Sequence, residues 1–517
     1  MANTLLELFE KNHQLLEWRD KVTLLSRQLV MGFSGSSKVV VMASALSEQV
    51  PKILIVTSTQ NEAEQLTGDL SAILGEDKVY SFFADDVVAA EFIFASPEKT
   101  HSRLESLNFL IDKEASGVLV TSLVGTKLHL PNPKVYKDSR IDLTLGEEHD
   151  LEALSKHLTH IGYQRVEQVL SPGEYSRRGD ILDIYEMTSE LPYRLEFFGD
   201  EIDGIRQFDS DSQKSLDNLE HVIVSPADDI ILTREDYQRA EKALESAVSK
   251  AEGPHKAYLE EVLSVTIDGS RHKDLRKFLS LFYDKAYTLF DYLPKGTPVF
   301  IDDFQKIVDR HGRLELEVAN LLTEDLHQGK SLSHLNYLVD SFKTLRNYQP
   351  ASFFSNFHKG LGNLKFDKLY QFTQYPMQEF FNQFPLLVDE IHRYTKNKAT
   401  VILQVGSEKQ LKSLKETLEE YDLDLPLSSF GDLIPHKPQL VLGNLSNGFY
   451  FADEKLVLVT EREIFHKKVK RRARASHVSN AERLKDYNEL EKGDYVVHQT
   501  HGIGQFKGIE TIEIKGV

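Results

Sequence analysis

Residues 173–209 constrain the fold of this chain most, because they combine the pattern of an antiparallel sheet with side chains that a buried sheet face does not accept. Two runs rich in Ile, Tyr and Phe, residues 181–185 and 193–198, are separated by turn-forming residues, and a Gly199-Asp200 turn leads to a third run. Strand-like runs with turn residues between them predict a small antiparallel sheet.

The second run places its residues alternately on the two faces of that sheet, since successive strand side chains point in opposite directions. Tyr193, Leu195 and Phe197 share one face. Arg194, Glu196 and Phe198 share the other. An aromatic residue and an arginine on a solvent-facing surface match the composition of protein–protein hot spots. The alternative, which the pattern leaves open, is a surface ion pair between Arg194 and Glu196 beside an incidentally exposed phenylalanine.

The run GEYSRRGDILDIY, followed by ELPYRLEFFGDEID, closely resembles the second domain of the bacterial transcription-repair-coupling factors, the Mfd family. It resembles the corresponding domain of the excision-repair protein UvrB more distantly. In both families this domain binds UvrA. The resemblance implies that the UvrA contact falls on Arg178, Arg194 and Phe198 of this chain. It covers essentially the whole chain and is most specific in residues 173–209.

Composition places the chain among ordinary globular proteins. It has 517 residues, enough for about three or four domains, with 41% hydrophobic and 27% charged residues. It contains no cysteine, which excludes disulfides, thiolate metal sites and cysteine nucleophiles. Residues 1–21 predict an amphipathic helix and not a signal peptide, and no apolar run approaches the ~20 residues that cross a bilayer. We therefore expect a cytoplasmic protein without membrane partners.

The formal net charge of −19 argues against the chain as a whole wrapping nucleic acid. We expect it to act mainly through other proteins. One basic block, residues 462–474, stands against this background and predicts either a solvated linker helix or a contact with nucleic acid or polymerase.

The first part of the chain predicts an α/β unit. Residues 52–58 form a continuous apolar run before the helical pattern of residues 60–74, which is typical of a buried parallel strand and its helix. Residues 117–122 repeat the strand signature, and residues 297–302 predict a strand that returns to the same sheet. The predicted fold class is therefore multidomain α/β: a discontinuous UvrB-like parallel domain with an inserted small antiparallel-sheet module.

Residues 349–362 break the pattern and predict a domain boundary. A further α/β unit follows, with strands at 399–405, 439–443 and 456–460 and a helix at 407–421. Six divisions are predicted. They are the first part of a UvrB-like domain (residues 1–135), a UvrA-binding module (136–222), the second and mostly helical part of the UvrB-like domain (223–348), a third α/β domain (349–465), a basic linker helix (466–489) and the start of an RNA-polymerase-interacting domain (490–517).

Residues 490–517 alternate as short strands and resemble the opening of the CarD-like, Tudor-type barrel with which coupling factors contact the β subunit of RNA polymerase. The resemblance implies that Ile512 is the apolar contact residue. Two or three strands are fewer than a closed barrel requires, so we expect this domain to be truncated.

Residues 32–39, GFSGSSKV, lie where a nucleotide-binding loop would follow a buried strand. A working phosphate loop has a glycine before its lysine and a Ser or Thr after it, which holds Mg²⁺. The residues of this degenerate loop are Gly32, Gly35, Ser37, Lys38 and Val39. Because Ser37 and Val39 replace the required residues, we predict that this loop binds no nucleotide. No other motif predicts a cofactor, metal or catalytic site in this chain. Asp302 and Asp303, at a strand end, are predicted to cap the next helix.

The resemblance implies a transcription-coupled repair adaptor that recruits UvrA, and so nucleotide excision repair, to RNA polymerase stalled at DNA lesions. It also implies that ATP, Mg²⁺ and double-stranded DNA belong to a translocase motor in sequence beyond residue 517. One alternative is a UvrB-type, ATP-dependent damage-verification protein, which needs an intact phosphate loop and an aromatic β-hairpin. Another is a scaffold unconnected with transcription, against which residues 490–517 speak.

Overall fold

The computed structural model describes residues 4–7, 12–93, 97–355, 361–466, 495–498 and 502–505. Their contacts divide the chain into two units, residues 1–475 and 476–517. The predicted basic linker from residue 467 onward and Ile512 lie outside the described residues.

The N-terminal part alternates buried strands with helices, as its sequence predicts. Helix α4 begins at Thr59, whose side chain accepts the backbone N–H of Glu62. The elements are α1 (Thr4–Glu7), α2 (His13–Lys21), β1 (Arg27–Met31), α3 (Ser36–Ala43), β2 (Lys52–Thr57), α4 (Gln60–Leu74), β3 (Val79–Phe82), α5 (Val88–Ile93), α6 (Pro97–Ile111) and β4 (Gly117–Ser122).

The inserted module follows. Its elements are α7 (Pro133–Asp138), β5 (Ile141–Thr144), α8 (Leu151–His160), β6 (Gln164–Arg165), β7 (Glu174–Arg178), β8 (Ile181–Ile184), β9 (Tyr193–Phe198), β10 (Glu201–Phe208), β11 (Ser215–Leu219) and β12 (His221–Val224). Six strands form a sheet in the order β11-β10-β9-β8-β7-β6, which is antiparallel except for the parallel pair of β6 and β7. Strands β5 and β12 form a separate antiparallel pair.

The next segment is mostly helical, as predicted. Helix α9 begins with a capping box of Thr233 and Asp236. The elements are α9 (Arg234–Val248), α10 (Gly253–Ile267), α11 (Leu275–Phe282), α12 (Leu289–Tyr292), β13 (Val299–Asp302), α13 (Phe304–His327), α14 (Phe342–Asn347), β14 (Ala351–Ser355) and β15 (Lys368–Gln371).

A seven-stranded parallel sheet in the order β15-β1-β14-β13-β2-β4-β3 forms the centre of the first unit. Strand β2 is buried along its whole length because both faces of the sheet are covered. Its side chains alternate between two hydrophobic clusters: Leu54 and Val56 belong to one, Ile53 and Ile55 to the other. The predicted return of β13 to this sheet is confirmed by its pairing with β2.

The predicted boundary at residue 349 is wrong. Strand β14 pairs with both β1 and β13, and β15 pairs with β1, so the first sheet extends to Gln371. The segment breaks the sequence pattern, but a break in local pattern does not end a sheet. Its two strands are instead held by pairing with strands distant in sequence.

A second sheet follows, in the order β16-β20-β21-β17-β19-β18, and it is mixed: β16, β20 and β21 pair antiparallel, whereas β21, β17, β19 and β18 pair in parallel. Its strands confirm the predicted α/β unit. The elements are β16 (Gln374–Pro376), α15 (Phe384–Lys396), β17 (Thr400–Val405), α16 (Glu408–Glu419), β18 (Leu427–Ser428), β19 (Pro438–Leu442), β20 (Phe449–Phe451), β21 (Leu456–Val459) and α17 (Glu461–Phe465). Leu445 and Phe449 share a hydrophobic cluster with Val30 and Val40 of the first part. The two α/β parts therefore pack through a common apolar core.

Strands β22 (Tyr495–His498) and β23 (Gly502–Gln505) form an antiparallel hairpin in the second unit, which agrees with the predicted start of a β-domain. The multidomain α/β fold class is confirmed. Within the residues that the structure describes, no helix has the length and apolar character to cross a membrane.

Candidate partner-binding face

The sheet of the inserted module has one buried and one partly open face, and strand β9 shows both. Leu195 and Phe197 point into the core and are 0% and 6% exposed, whereas Phe198 is 82% exposed. This confirms the predicted alternation. We call the side of the sheet that carries Arg194, Glu196 and Phe198 the outer face.

A buried carboxylate organises the outer face. Asp183 on β8 is fully buried and lies directly opposite Arg194 on β9. The Arg194 guanidinium donates from Nε to Oδ1 (2.7 Å) and from Nη2 to Oδ2 (2.9 Å). Arg178 donates from Nη2 to Oδ2 at 2.6 Å. Removing a carboxylate from water costs several kcal/mol unless it is paired, and these two guanidinium groups supply the pairing.

Arg194 is held on every side. Its guanidinium carbon lies 4.5 Å from the centre of the Phe208 ring, and it donates to the backbone carbonyl and side-chain oxygen of Gln213 at 3.4 and 3.3 Å. Its hydrogen bonds to Asp183 raise the pKa of Arg194 above the usual arginine value. Only 14% of its side chain is exposed.

The alternative of an Arg194–Glu196 ion pair is wrong. Glu196 pairs with Arg206 on β10, and Arg194 pairs with Asp183. Residues opposite each other on paired strands lie closer than residues two positions apart on one strand. The cross-strand partner therefore takes the arginine.

One end of the outer face is covered and the other is open. Near Arg194, the side chains of Val169, Tyr185 and Phe208 form a small hydrophobic cluster. At the opposite end, Phe198 precedes the turn at Gly199, whose φ of +68° favours glycine. The open end therefore presents an aromatic ring to solvent.

The structure thus separates the three predicted UvrA-binding residues by exposure. Arg178 and Arg194 meet on Asp183, but half of the Arg178 side chain is exposed against 14% for Arg194. Phe198 is the most exposed of the three. The sequence reasoning missed Asp183. The sequence does contain a sign of it: Asp183 lies between Leu182 and Ile184 in the apolar run of β8, and a charge buried there needs a partner.

A second buried carboxylate anchors the module to the helices around it. Asp229 accepts from Nη1 of Arg103 on α6 at 3.1 Å and from Nη2 of Arg276 on α11 at 2.6 Å. Burial alone would raise the pKa of Asp229, but the positive charges of Arg276 and Arg103 hold that pKa below its usual value. This network joins the end of the module to two helices outside it.

In the loop at residues 32–39, Lys38 already has an ion-pair partner. Lys38 donates from Nζ to both carboxylate oxygens of Asp302, at 2.5 and 2.6 Å. Val39 is buried, so the position that would hold Mg²⁺ carries a core side chain. Asp303 caps α13 through the N–H of Lys306, which confirms its predicted role. For Asp302 the capping prediction is wrong, because its carboxylate accepts the lysine instead.

Ser36 and Gly35 of the loop are also engaged. Ser36 donates from Oγ to Asp69 at 2.7 Å and accepts the N–H of Asn447 at 2.9 Å. Ser446 donates its N–H and hydroxyl to the other oxygen of Asp69. A Cβ built on Gly35 would lie 3.1 Å from the Asn447 Cβ, so the third α/β part packs against the loop.

Comparison with known proteins matches three family models to this chain: the UvrB interaction domain to residues 141–229, the MFD D3 domain to residues 394–464 and the CarD-like/TRCF RID domain to residues 490–517. The first begins at β5 and ends at Asp229.

Curated relatives agree with these matches. The transcription-repair-coupling factor of Bacillus subtilis is 32% identical over 505 residues, which is 95% of this chain and 43% of the relative. That of Staphylococcus aureus strain RF122 is 29% identical over 496 residues, which is 94% of this chain and 42% of the relative. The chain therefore spans less than half the length of these relatives. The family resemblance seen in the sequence is confirmed.

Asp183→Ala should lower the free energy of opening of the module by about 3–5 kcal/mol, because it leaves the buried Arg194 guanidinium without a carboxylate. Native-state hydrogen exchange of the β8 and β9 amides measures this local free energy. Glu196→Ala is the matched control: its pair with Arg206 is about one third exposed and should contribute about 0–1 kcal/mol. Equal effects of the two substitutions would contradict the organising role of Asp183.

Leu195→Ala should destabilise the module by about 2–5 kcal/mol through the cavity it leaves. Phe198→Ala, three residues along the same strand and on the open face, should change stability by no more than about 0.5 kcal/mol. Urea denaturation followed by circular dichroism compares the two. A loss of stability in Phe198→Ala as large as that in Leu195→Ala would mean that the ring is packed.

Proposed function

Because the chain belongs to the family of transcription-repair-coupling factors, we propose that it is an adaptor of transcription-coupled DNA repair. Its inserted module binds UvrA and so brings nucleotide excision repair to RNA polymerase stalled at a lesion. The observation that carries the proposal is the match of the UvrB interaction domain to residues 141–229, the same module whose outer face exposes Phe198.

Each of the three residues has a different part in the proposed contact. Phe198 inserts its free ring into the partner, since exposed aromatic anchors dominate protein interfaces. Arg178 offers the exposed half of its guanidinium to a polar group of UvrA. Arg194 is a positioning residue: it neutralises Asp183 and so keeps Arg178 from being drawn fully into that charge.

The polymerase side of the adaptor is proposed to involve residues 490–517, which match the CarD-like/TRCF RID domain. The partner is the RNA polymerase β subunit, and the family resemblance puts the contact at Ile512. Residues 462–474 remain either a linker or a second contact.

We also propose that this chain neither binds nor hydrolyses ATP. Lys38 is neutralised by Asp302, Val39 offers no oxygen to Mg²⁺, and Asn447 packs against Gly35 where a phosphate would approach. The ATP-dependent translocation on double-stranded DNA that the resemblance implies for full-length members is assigned to a motor outside residues 1–517. As expected for such a repair adaptor, the proposed location is the cytoplasm.

A UvrB-type damage-verification function is less well supported. It needs an intact phosphate loop and an aromatic β-hairpin after the first strand–helix unit. In the described parts of residues 36–140, the strands β2, β3 and β4 pair only in parallel. The adaptor function requires neither feature.

Phe198→Ala should weaken UvrA binding by about 2 kcal/mol or more, roughly thirtyfold, without loss of stability. Arg178→Ala and Arg194→Ala should weaken it to a similar extent, the latter with a loss of stability. Surface plasmon resonance with immobilised UvrA measures the affinities. Leu316→Ala, which removes a 67% exposed side chain from α13, is the control and should bind as the wild type. Wild-type affinity in Phe198→Ala would exclude the outer face as the UvrA site.

Isothermal titration of the chain with Mg-ATP should give no saturable heat, because Lys38 is paired with Asp302 and Asn447 packs against Gly35. Asp302→Ala releases Lys38 but leaves Val39 and Asn447 in place, so it should remain without nucleotide binding. A micromolar dissociation constant for the wild type would contradict the proposal.

A further inference from the structure

Beside the outer face, the edge of strand β7 is covered only in part. Strand β6 pairs with it at two positions, Gln164 with Glu174 and Arg165 with Tyr175. After Arg165 the pairing ends, while β7 continues to Arg178. The gap forms a cleft of ≈ 460 Å³, which we call the arginine cleft; its lining residues are Arg165, Val166, Glu167, Ser176, Arg177 and Arg178.

Three of the six lining residues are arginines, in a chain whose net charge is −19. Arg178 donates to Asp183 with part of its guanidinium. The side chains of Arg165 and Arg177 make no hydrogen bond or ion pair with any residue that the structure describes. Arg165 is paired with Tyr175 and Arg177 with Leu182, so both arginines lie on the side of the sheet opposite Arg178. Their donors are therefore available to a ligand at the edge of the sheet.

Nearby carboxylates are engaged elsewhere. Asp150 accepts the N–H groups of Glu152 and Ala153 at the start of α8, and the Glu152 side chain pairs with Lys156. The pKa of Asp150 is lowered mainly by its hydrogen bonds from Ala153 and Glu152, and the pKa of Glu152 mainly by its hydrogen bond from Lys156. The positive charge of Arg177 lowers both pKa values further, so Arg177 lies close to these carboxylates. These two carboxylates lie near Arg177 but, among the residues that the structure describes, form no hydrogen bond or ion pair with the arginines of the cleft.

The strand edge adds backbone groups to the cleft. Val166 donates its N–H to the carbonyl of Tyr175 at 2.9 Å, so the peptide groups of Tyr175 point toward this edge. Those of Arg177, two residues further along β7, point the same way. Guanidinium groups and a strand edge together suit an extended segment that carries carboxylates.

We propose that the arginine cleft binds carboxylate side chains of UvrA, and that it extends the interface made by Phe198 and Arg178. This inference rests on the proposed function. Arg178 belongs to both surfaces, which makes them continuous. A protein ligand is favoured over nucleic acid because Glu167 lines the cleft, an exposed aromatic ring lies on the adjoining face, and the arginines form a cluster and not a stripe.

Charge reversal tests the cleft. Arg165→Glu, at an exposed position without a side-chain partner, and the double variant Arg165→Glu/Arg177→Glu are compared with wild type for UvrA binding at low and high salt. Arg313→Glu, an exposed position on α13 with the same charge change, is the matched control. We expect about threefold weaker binding for Arg165→Glu and about tenfold for the double variant at low salt, with smaller losses at high salt and no loss for Arg313→Glu.

The possible failures are distinguishable. Wild-type affinity in both cleft variants, with binding lost in Phe198→Ala, would overturn this inference and leave the proposed function standing. No UvrA binding by the wild type would overturn both. If the cleft variants lose binding to a double-stranded DNA oligonucleotide but keep UvrA, the cleft is a phosphate site and the inference is wrong. If thermal unfolding shows that the double variant is destabilised, the test uses Arg165→Glu alone. An unchanged affinity of Arg165→Glu for UvrA would then contradict the inference.

Discussion

The pairing of the buried Asp183 with Arg194 and Arg178 is the interaction on which the candidate partner face depends. Asp183 is fully buried, so its charge fixes the position of both arginines. Arg194 is thereby held against Phe208 and beneath the surface, while Arg178 stays half exposed. One carboxylate therefore determines which arginine supports the sheet and which one meets solvent, next to an open end that presents Phe198.

The same principle, a charge satisfied within the chain, supports the proposal that the loop at residues 32–39 binds no nucleotide. Asp302 takes Lys38, and Asp69 joins Ser36 to Ser446 of the third α/β part. These hydrogen bonds hold two α/β parts together beside a shared apolar cluster. The loop at residues 32–39 is thus a contact between the two α/β parts. This agrees with a chain whose proposed work is to bind other proteins.

Much of the fold and part of the site follow from local sequence pattern. Period-two alternation places Leu195 inside and Phe198 outside, and the apolar run of β17 predicts a buried strand. The return of β13 to the first sheet also follows, but other contacts between distant segments do not. The Arg194–Asp183 pair depends on the register between β8 and β9, and the membership of β14 in the first sheet depends on pairing with β1 and β13. Alternation fixes the face of a side chain, but only register fixes its partner.

Site-specific photo-crosslinking tests the central claim most directly. A benzophenone side chain replaces Phe198 in one variant and Leu316 in another, both exposed positions of the chain. Each variant is irradiated with purified UvrA. The account predicts a covalent product with UvrA from position 198 and none above background from position 316. Equal yields from the two positions, or none from position 198 while the two proteins are bound, would show that UvrA does not contact the outer face.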